Sequence, residues 1–330
     1  MHPREFGRYR ILKLLPKGGM GVVYLAIDST NNQQVALKLI ELGPDRDRQE
    51  IAAAEKRGAT LQEALCSHDK RITQIRHFGE LENFFYIEME YVEGHDLSEV
   101  LRDGPLGTPF AARIGSDLCE VLHLAHTFTA AIDGKQYRGV VHGDIKPRNV
   151  RITPLGEVRV LDFGIAKALS LTRSFTQIQF GSSQYSSPER LLTGEVNVAS
   201  DLWAVAVLLY ETVTGRPYFE AETGEKTEAL VRNYREVRPL PPNLPKSFAA
   251  VLRKALNPVP ELRYQTAASF GAELKLYLQG KSSLAETTTP TEDSDRTRRS
   301  VPLTRVEDDA ATRRTMTALP AARSGANRAK

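Results

Sequence analysis

The chain has 330 residues, 41% hydrophobic and 26% charged, which is ordinary for a soluble globular protein and too long for one average domain. Its net charge of +3 is uneven, because residues 1–280 hold 34 Lys and Arg against 34 Asp and Glu while residues 281–330 hold 10 against 7. A neutral body with its excess charge in a tail argues against a general nucleic-acid-binding surface.

Met1-His2-Pro3-Arg4-Glu5 leads straight into a strand pattern, so no signal peptide is expected. Residues 9–41 read as three strands, with turns at Pro16-Lys17-Gly18-Gly19 and Asp28-Ser29-Thr30-Asn31-Asn32. Arg48 to Cys66 is rich in Ala and Glu and reads as a helix with Gly58 as its weak point. Ile72–Phe78 and Phe84–Met89 return to strand character, and from Asp96 onward helices dominate, over 96–102, 109–128, 199–214, 247–257 and 266–279. A small strand-rich half before a larger helical half is an α+β arrangement. The longest apolar stretch, around Trp203 to Tyr210, is far short of the ~20 residues that cross a bilayer. Cys66 and Cys119, the two cysteines, lie in apolar surroundings and read as buried thiols, consistent with a reducing cytoplasm. His123 and His126 lie at i, i+3 on one helix and read as structural rather than metal-ligating.

The densest chemistry is His142-Gly143-Asp144-Ile145-Lys146-Pro147-Arg148-Asn149, followed thirteen residues after Asn149 by Asp162-Phe163-Gly164. Gly139-Val140-Val141, Val150-Arg151-Ile152 and Val158-Arg159-Val160-Leu161 read as short strands holding these loops. Asp144 can accept a proton from an attacking hydroxyl, Lys146 can neutralise phosphoryl oxygens, and Asn149 and Asp162 offer oxygens to Mg²⁺. Each residue alone has a bland reading as a turn residue. The ordered set, following Val35-Ala36-Leu37-Lys38, does not.

With these motifs the chain resembles the eukaryotic-like Ser/Thr protein kinases of bacteria over roughly residues 9–280. The resemblance implies a bilobal α+β protein-kinase fold: an N-lobe over 1–92 with a small antiparallel sheet and one long helix, and a larger, mostly helical C-lobe over 93–280. It implies ATP with Mg²⁺, or Mn²⁺ in its place, and protein substrates carrying Ser or Thr. Gly18, Gly19 and Gly21 would let backbone N–H groups approach phosphates, with Val23 and Ala36 on the adjoining strands, although Pro16 stands where the family has its first glycine. Lys38 would pair with the α/β-phosphates. Of Glu50, Glu55 and Glu63, Glu55 has the family's separation from Lys38. Met89 would be the gatekeeper, the backbone of Glu90 and Val92 would meet the adenine, and Asp96 would reach the ribose, although Asp96 equally suits a helix N-cap.

Gly181-Ser182-Ser183-Gln184-Tyr185-Ser186-Ser187-Pro188-Glu189 resembles the family's peptide shelf. Ser182 would hydrogen-bond Asp144 and Lys146, Asp201 would brace the catalytic loop, and Arg263 would pair with Glu189. This set favours a protein substrate over the small-molecule phosphotransferases that also carry His-Gly-Asp. A pseudokinase acting as scaffold or nucleotide sensor is the alternative, supported by Pro16 and Gly143 alone. Gly143 replaces the family's Arg, which grips a phosphorylated activation loop. Ser170, Thr172, Ser174 and Thr176 on that loop are therefore expected to be dispensable for activity. Residues 127–138 form an insert with a turn at Asp133-Gly134. Residues 281–330 read as a disordered Thr- and Arg-rich tail, with autophosphorylation of Thr287, Thr288, Thr289, Thr297, Thr304, Thr312 or Thr315 as the way to attract phosphothreonine-reading domains.

Overall fold

β-Branched and aromatic residues recur along the strands of the first ninety positions, and those strands build one antiparallel sheet. In this computed structural model the described residues are 4–15, 21–132, 134–163, 183–282 and 285. Six strands, β1 (Glu5–Phe6), β2 (Tyr9–Leu15), β3 (Val22–Asp28), β4 (Gln33–Glu41), β5 (Ile75–Leu81) and β6 (Phe84–Glu90), lie in the order β1-β2-β3-β4-β6-β5. The period of two sorts β4 between two faces. Val35, Leu37 and Leu39 join Phe6, Tyr9 and Tyr24 in one apolar cluster, while Ile40 packs with Ala59, Phe85, Ile87 and Met89 in the other. Lys38 shares the second face, paired in register with Val23 and Ile87.

Helix α1 (Arg46–Cys66) covers that face. Asp45 caps it by accepting from the Arg48 N–H, so the helix starts two residues earlier than the sequence suggests. It also runs through Gly58 unbroken, because Gly58 is buried and tertiary packing overrides its poor helix propensity.

The helical half is organised on α3 (Thr108–Thr127), α5 (Val198–Thr214) and α8 (Ala267–Leu278), with α2 (Leu97–Val100), α4 (Pro188–Thr193), α6 (Gly224–Arg232) and α7 (Lys246–Ala255) around them. Asn197 and Ser200 form a capping box at the start of α5, and Gly215 ends it in a left-handed conformation. Trp203, fully buried on α5, contacts Phe219 and Tyr234 ring to ring. Residues of β7 (His95–Asp96), β10 (Val150–Ile152) and β11 (Val158–Val160) form a three-stranded sheet in the order β11-β10-β7. Among the described residues no helix is long and apolar enough to cross a membrane.

The structure corrects several expectations. Gly139–Val141 is not a strand. It is irregular backbone pinned to the end of α3, with the Gly139 N–H donating to Phe128 O and the Val140 N–H to Ala125 O. The insert is a β-hairpin, β8 (Thr129–Ile132) with β9 (Lys135–Arg138). The strand expected from Ile72 begins at Ile75, because Thr73 instead spends its N–H and its hydroxyl on Val160 O. Cys119 is buried, but Cys66 is only partly so, with Sγ donating to Glu63 O.

Candidate active site

Lys38 points from the sheet at α1, and its Nζ lies 2.7 Å from both carboxylate oxygens of Glu55. Of the three candidate glutamates only Glu55 reaches it; Glu50 instead pairs with Arg46 on its own helix. Asp162 Oδ1 stands 3.6 Å from the same ammonium. Burial works against the charged Lys38 amine, but the nearby Asp162 and Glu55 carboxylates outweigh it and hold its pKa above the ordinary lysine value. One cation thus faces two carboxylates.

Asp162 holds φ at +50°, a left-handed conformation that costs a non-glycine residue about 1–2 kcal/mol. The conformation aims its carboxylate toward Lys38, while the Phe163 ring tucks 4.6 Å from the ring of His142. The Phe163 N–H donates to Oε1 of Gln62, 3.2 Å away, and the Gln62 amide donates in turn to Thr73 O at 2.9 Å. Gln62 is almost fully buried. Its position in the middle of a polar helix reads as surface, so the sequence carried no signal for this contact.

The second half of the site is the loop from His142 to Asn149. Asp201 on α5 accepts the His142 N–H at 2.9 Å and the Gly143 N–H at 2.8 Å. The same carboxylate takes Nε2 of His126 at 2.9 Å, so His126 has an acidic partner seventy-five residues away. The Asp144 N–H donates to Nδ1 of His142, and Lys146 Nζ lies 2.9 Å from Asp144 Oδ2. Asn149 donates through Nδ2 to the backbone and carboxylate oxygens of Asp144, at 2.8 and 3.0 Å. Its other amide atom, Oδ1, is buried and accepts no hydrogen bond from the described residues. A buried oxygen left without a donor, with the Asp162 carboxylate on the other loop, is a donor set that suits a hard divalent cation.

Met89 is buried at the end of β6, opposite Ala36 in register. Val23 is buried on β3, and Gly21 just precedes that strand, where a Cβ would lie 2.7 Å from Leu39 O. The Glu90 side chain accepts the Gln74 N–H at 2.8 Å and pairs with Arg159 on β11, a hinge contact the sequence did not suggest. Val92 is buried beyond it. Asp96 caps α2, accepting from the Glu99 N–H and the Ser98 hydroxyl. Gly18, Gly19, Ser182, the loop residues Ser170, Thr172, Ser174 and Thr176, and the tail threonines lie outside the described residues.

On the shelf side, Arg263 clasps Glu189 through Nη1 and Nη2 at 2.7 and 2.9 Å, and also donates from Nε to Asn257 O and from Nη2 to Pro258 O. Burial alone would push the Glu189 carboxyl up, but the Arg263 guanidinium more than reverses this and holds it below the usual carboxylate range. Tyr185 Oη donates to Glu211 at 2.6 Å, and burial raises the pKa of both groups.

A curled sheet carrying a lysine–glutamate pair, over a helical half carrying an aspartate loop, defines a class. The model of the protein kinase domain matches residues 9–272, and the chain belongs to that family. Among bacterial relatives it is 33% identical over 276 residues to the serine/threonine-protein kinase PrkC of Bacillus subtilis, a match covering 82% of this chain and 41% of PrkC. It is 32% identical over 284 residues to the serine/threonine-protein kinase PknB of Mycobacterium leprae, covering 82% of this chain and 43% of PknB. To the serine/threonine-protein kinase PknA of Mycobacterium tuberculosis it is 32% identical over 293 residues, covering 86% of this chain and 64% of PknA. The chain therefore spans less than half the length of PrkC or PknB.

Proposed function

We propose that this chain transfers the γ-phosphoryl group of ATP to Ser and Thr hydroxyls of proteins, itself included, as part of bacterial signalling. The observation that carries this reading is the simultaneous closure of both halves of the site: Lys38 on Glu55, and Asp144 among Lys146, Asn149 and the His142 ring. The relatives, themselves serine/threonine-protein kinases by name, point the same way. The functional division into 1–92, 93–280 and 281–330 belongs to the same proposal, with phosphothreonine-reading partners for the tail.

In this reading the substrate Oγ attacks the γ-phosphorus, the bond from that phosphorus to the β-phosphate bridging oxygen breaks, and ADP leaves. Asp144 orients the hydroxyl and takes its proton, which it later releases to solvent. Lys146 holds Asp144 and offsets charge on the transferring oxygens, while Lys38 positions the α/β-phosphates. Gly18, Gly19 and Gly21 would cradle the phosphates over Val23 and Ala36, Met89, Glu90 and Val92 would frame the adenine, and Asp96 would meet the ribose. Ser182 would bridge Asp144 and Lys146. Mg²⁺ fits Asn149 Oδ1 and Asp162, and when bound it supplies charge neutralisation of the polyphosphate.

The test is phosphate incorporation from γ-labelled ATP with Mg²⁺ or Mn²⁺, into the chain itself and into a generic basic protein. Wild type should label both and Asp144→Asn neither; equal labelling by the two would defeat the reading. Analysis of the labelled residues then separates the loop and tail threonines. No label in residues 281–330 would remove the tail from the proposal, and full turnover after replacing Ser170, Thr172, Ser174 and Thr176 by alanine is expected.

A further inference from the structure

Gly143 lies immediately before Asp144, and both of its backbone polar groups are held by side chains. Its N–H goes to Asp201, and its carbonyl accepts Nη1 of Arg190 at 2.8 Å. Its φ is +74°, so a side chain here would be strained, and the backbone path into Asp144 depends on what grips this peptide. Arg190 comes from α4, the helix that opens with Ser187 as N-cap and Pro188 in its first turn. That helix is itself fastened, since Arg263 holds Glu189, the residue beside Arg190, at two points. The guanidinium is half-buried, and burial lowers its pKa below the ordinary arginine value while the charges of Asp144 and Asp201 act to restore it. A half-buried cation costs desolvation, so its location against a carbonyl and beside two carboxylates needs a reason.

We propose that Arg190 is a positioning residue for phosphoryl transfer: by clamping the Gly143 carbonyl from the substrate shelf, it sets the direction of Asp144 and joins shelf and base into one unit. The role rests on the kinase reading above. Asp144 is also faced by Lys146 and Asn149 on its own loop, by His142 through the backbone, and by Arg190 from α4. Removing Arg190 therefore deletes a cation near the base and frees one side of the Gly143 peptide. The other side stays on Asp201, so the fold should persist.

The experiment uses the full chain with Arg190→Met and Arg190→Lys, and with the exposed Arg232→Met on α6 as control. Turnover in Arg190→Met should fall about thirty-fold, with the KM for ATP changed less than about twofold, as expected for a group acting on the transferring geometry rather than on nucleotide binding. Turnover should recover in part in Arg190→Lys, which restores the charge and one donor but not the fork. Hydrogen exchange of the 142–144 amides should quicken in Arg190→Met and not in Arg232→Met. Unchanged turnover and exchange would overturn the proposal, as would loss of ATP binding in parallel with turnover in both Arg190 variants. A wild type that transfers no phosphate would sink the kinase reading and this role with it, whereas an active wild type with an indifferent Arg190→Lys and Arg190→Met would sink this role alone.

Discussion

Two ion pairs, one on the sheet and its helix and one in the helical half, are built on opposite plans. At Lys38 a single ammonium serves two carboxylates, Glu55 and Asp162. At Arg263 a single carboxylate, Glu189, meets a guanidinium whose remaining donors are spent on Asn257 O and Pro258 O and whose face lies 4.5 Å from the Trp203 ring. The first pair belongs to the site proposed to handle phosphate, where its charges would act on a ligand. The second ties α4 to the backbone at Asn257 and Pro258. A buried ion pair can serve either end, as a working group or as a fastening.

The comparison breaks most sharply at Lys38. Lys38→Met should lower turnover at least about a hundred-fold while leaving the fold in place, read by phosphate incorporation beside a thermal melt. Arg263→Met should do the reverse. Stranding Glu189 and two carbonyls is expected to cost about 3 kcal/mol, seen as a lower urea midpoint at unchanged slope. If Lys38→Met proved the less stable of the two, the contrast between working and fastening pairs would fail.

Gln62→Leu tests a smaller effect on the working side. It removes the acceptor of the Phe163 N–H and the donor to Thr73 O, so turnover should drop about five- to ten-fold with a raised requirement for divalent metal. Metal titration of activity checks it, and an unaltered titration curve would remove Gln62 from the site. The smallest effect is in pH. The Glu189 pKa is depressed in the fold, so the unfolded chain binds the proton more readily there. The pair's stability is fully present above the ordinary glutamate value of about 4.3 and is lost as pH falls through the lower folded value. Wild type should thus lose melting temperature below about pH 4 more steeply than Arg263→Met.

How much of this was legible in the sequence follows the range of the interactions. Strands β2 to β4 and helices α3, α5 and α8 announce themselves by local period and turn chemistry, and their observed ends differ from the expected ones by a residue or two. The loop His142 to Asn149 is legible because its chemistry is contiguous. Gly139–Val141 misled because β-branched residues also suit buried irregular backbone, and α6 (Gly224–Arg232) was missed because it is short and mostly polar. The contacts His126–Asp201, Gln62–Phe163 and Arg159–Glu90 join residues 75, 101 and 69 positions apart, which no local pattern reports.

The hairpin of β8 and β9 leaves and rejoins the chain at a clasp. Phe128 and Gly139 are bonded at its neck, and Val140 is already tied back to Ala125, so the path from α3 into the catalytic loop is complete without the ten residues between. Gly139, at φ +76°, lies where a Cβ would come within 2.9 Å of His126 O, so the neck admits little change. Beyond it the loop is a socket: a segment of different length or content, a reporter or a recognition peptide, can be plugged in there while His142 to Asn149 keep their places.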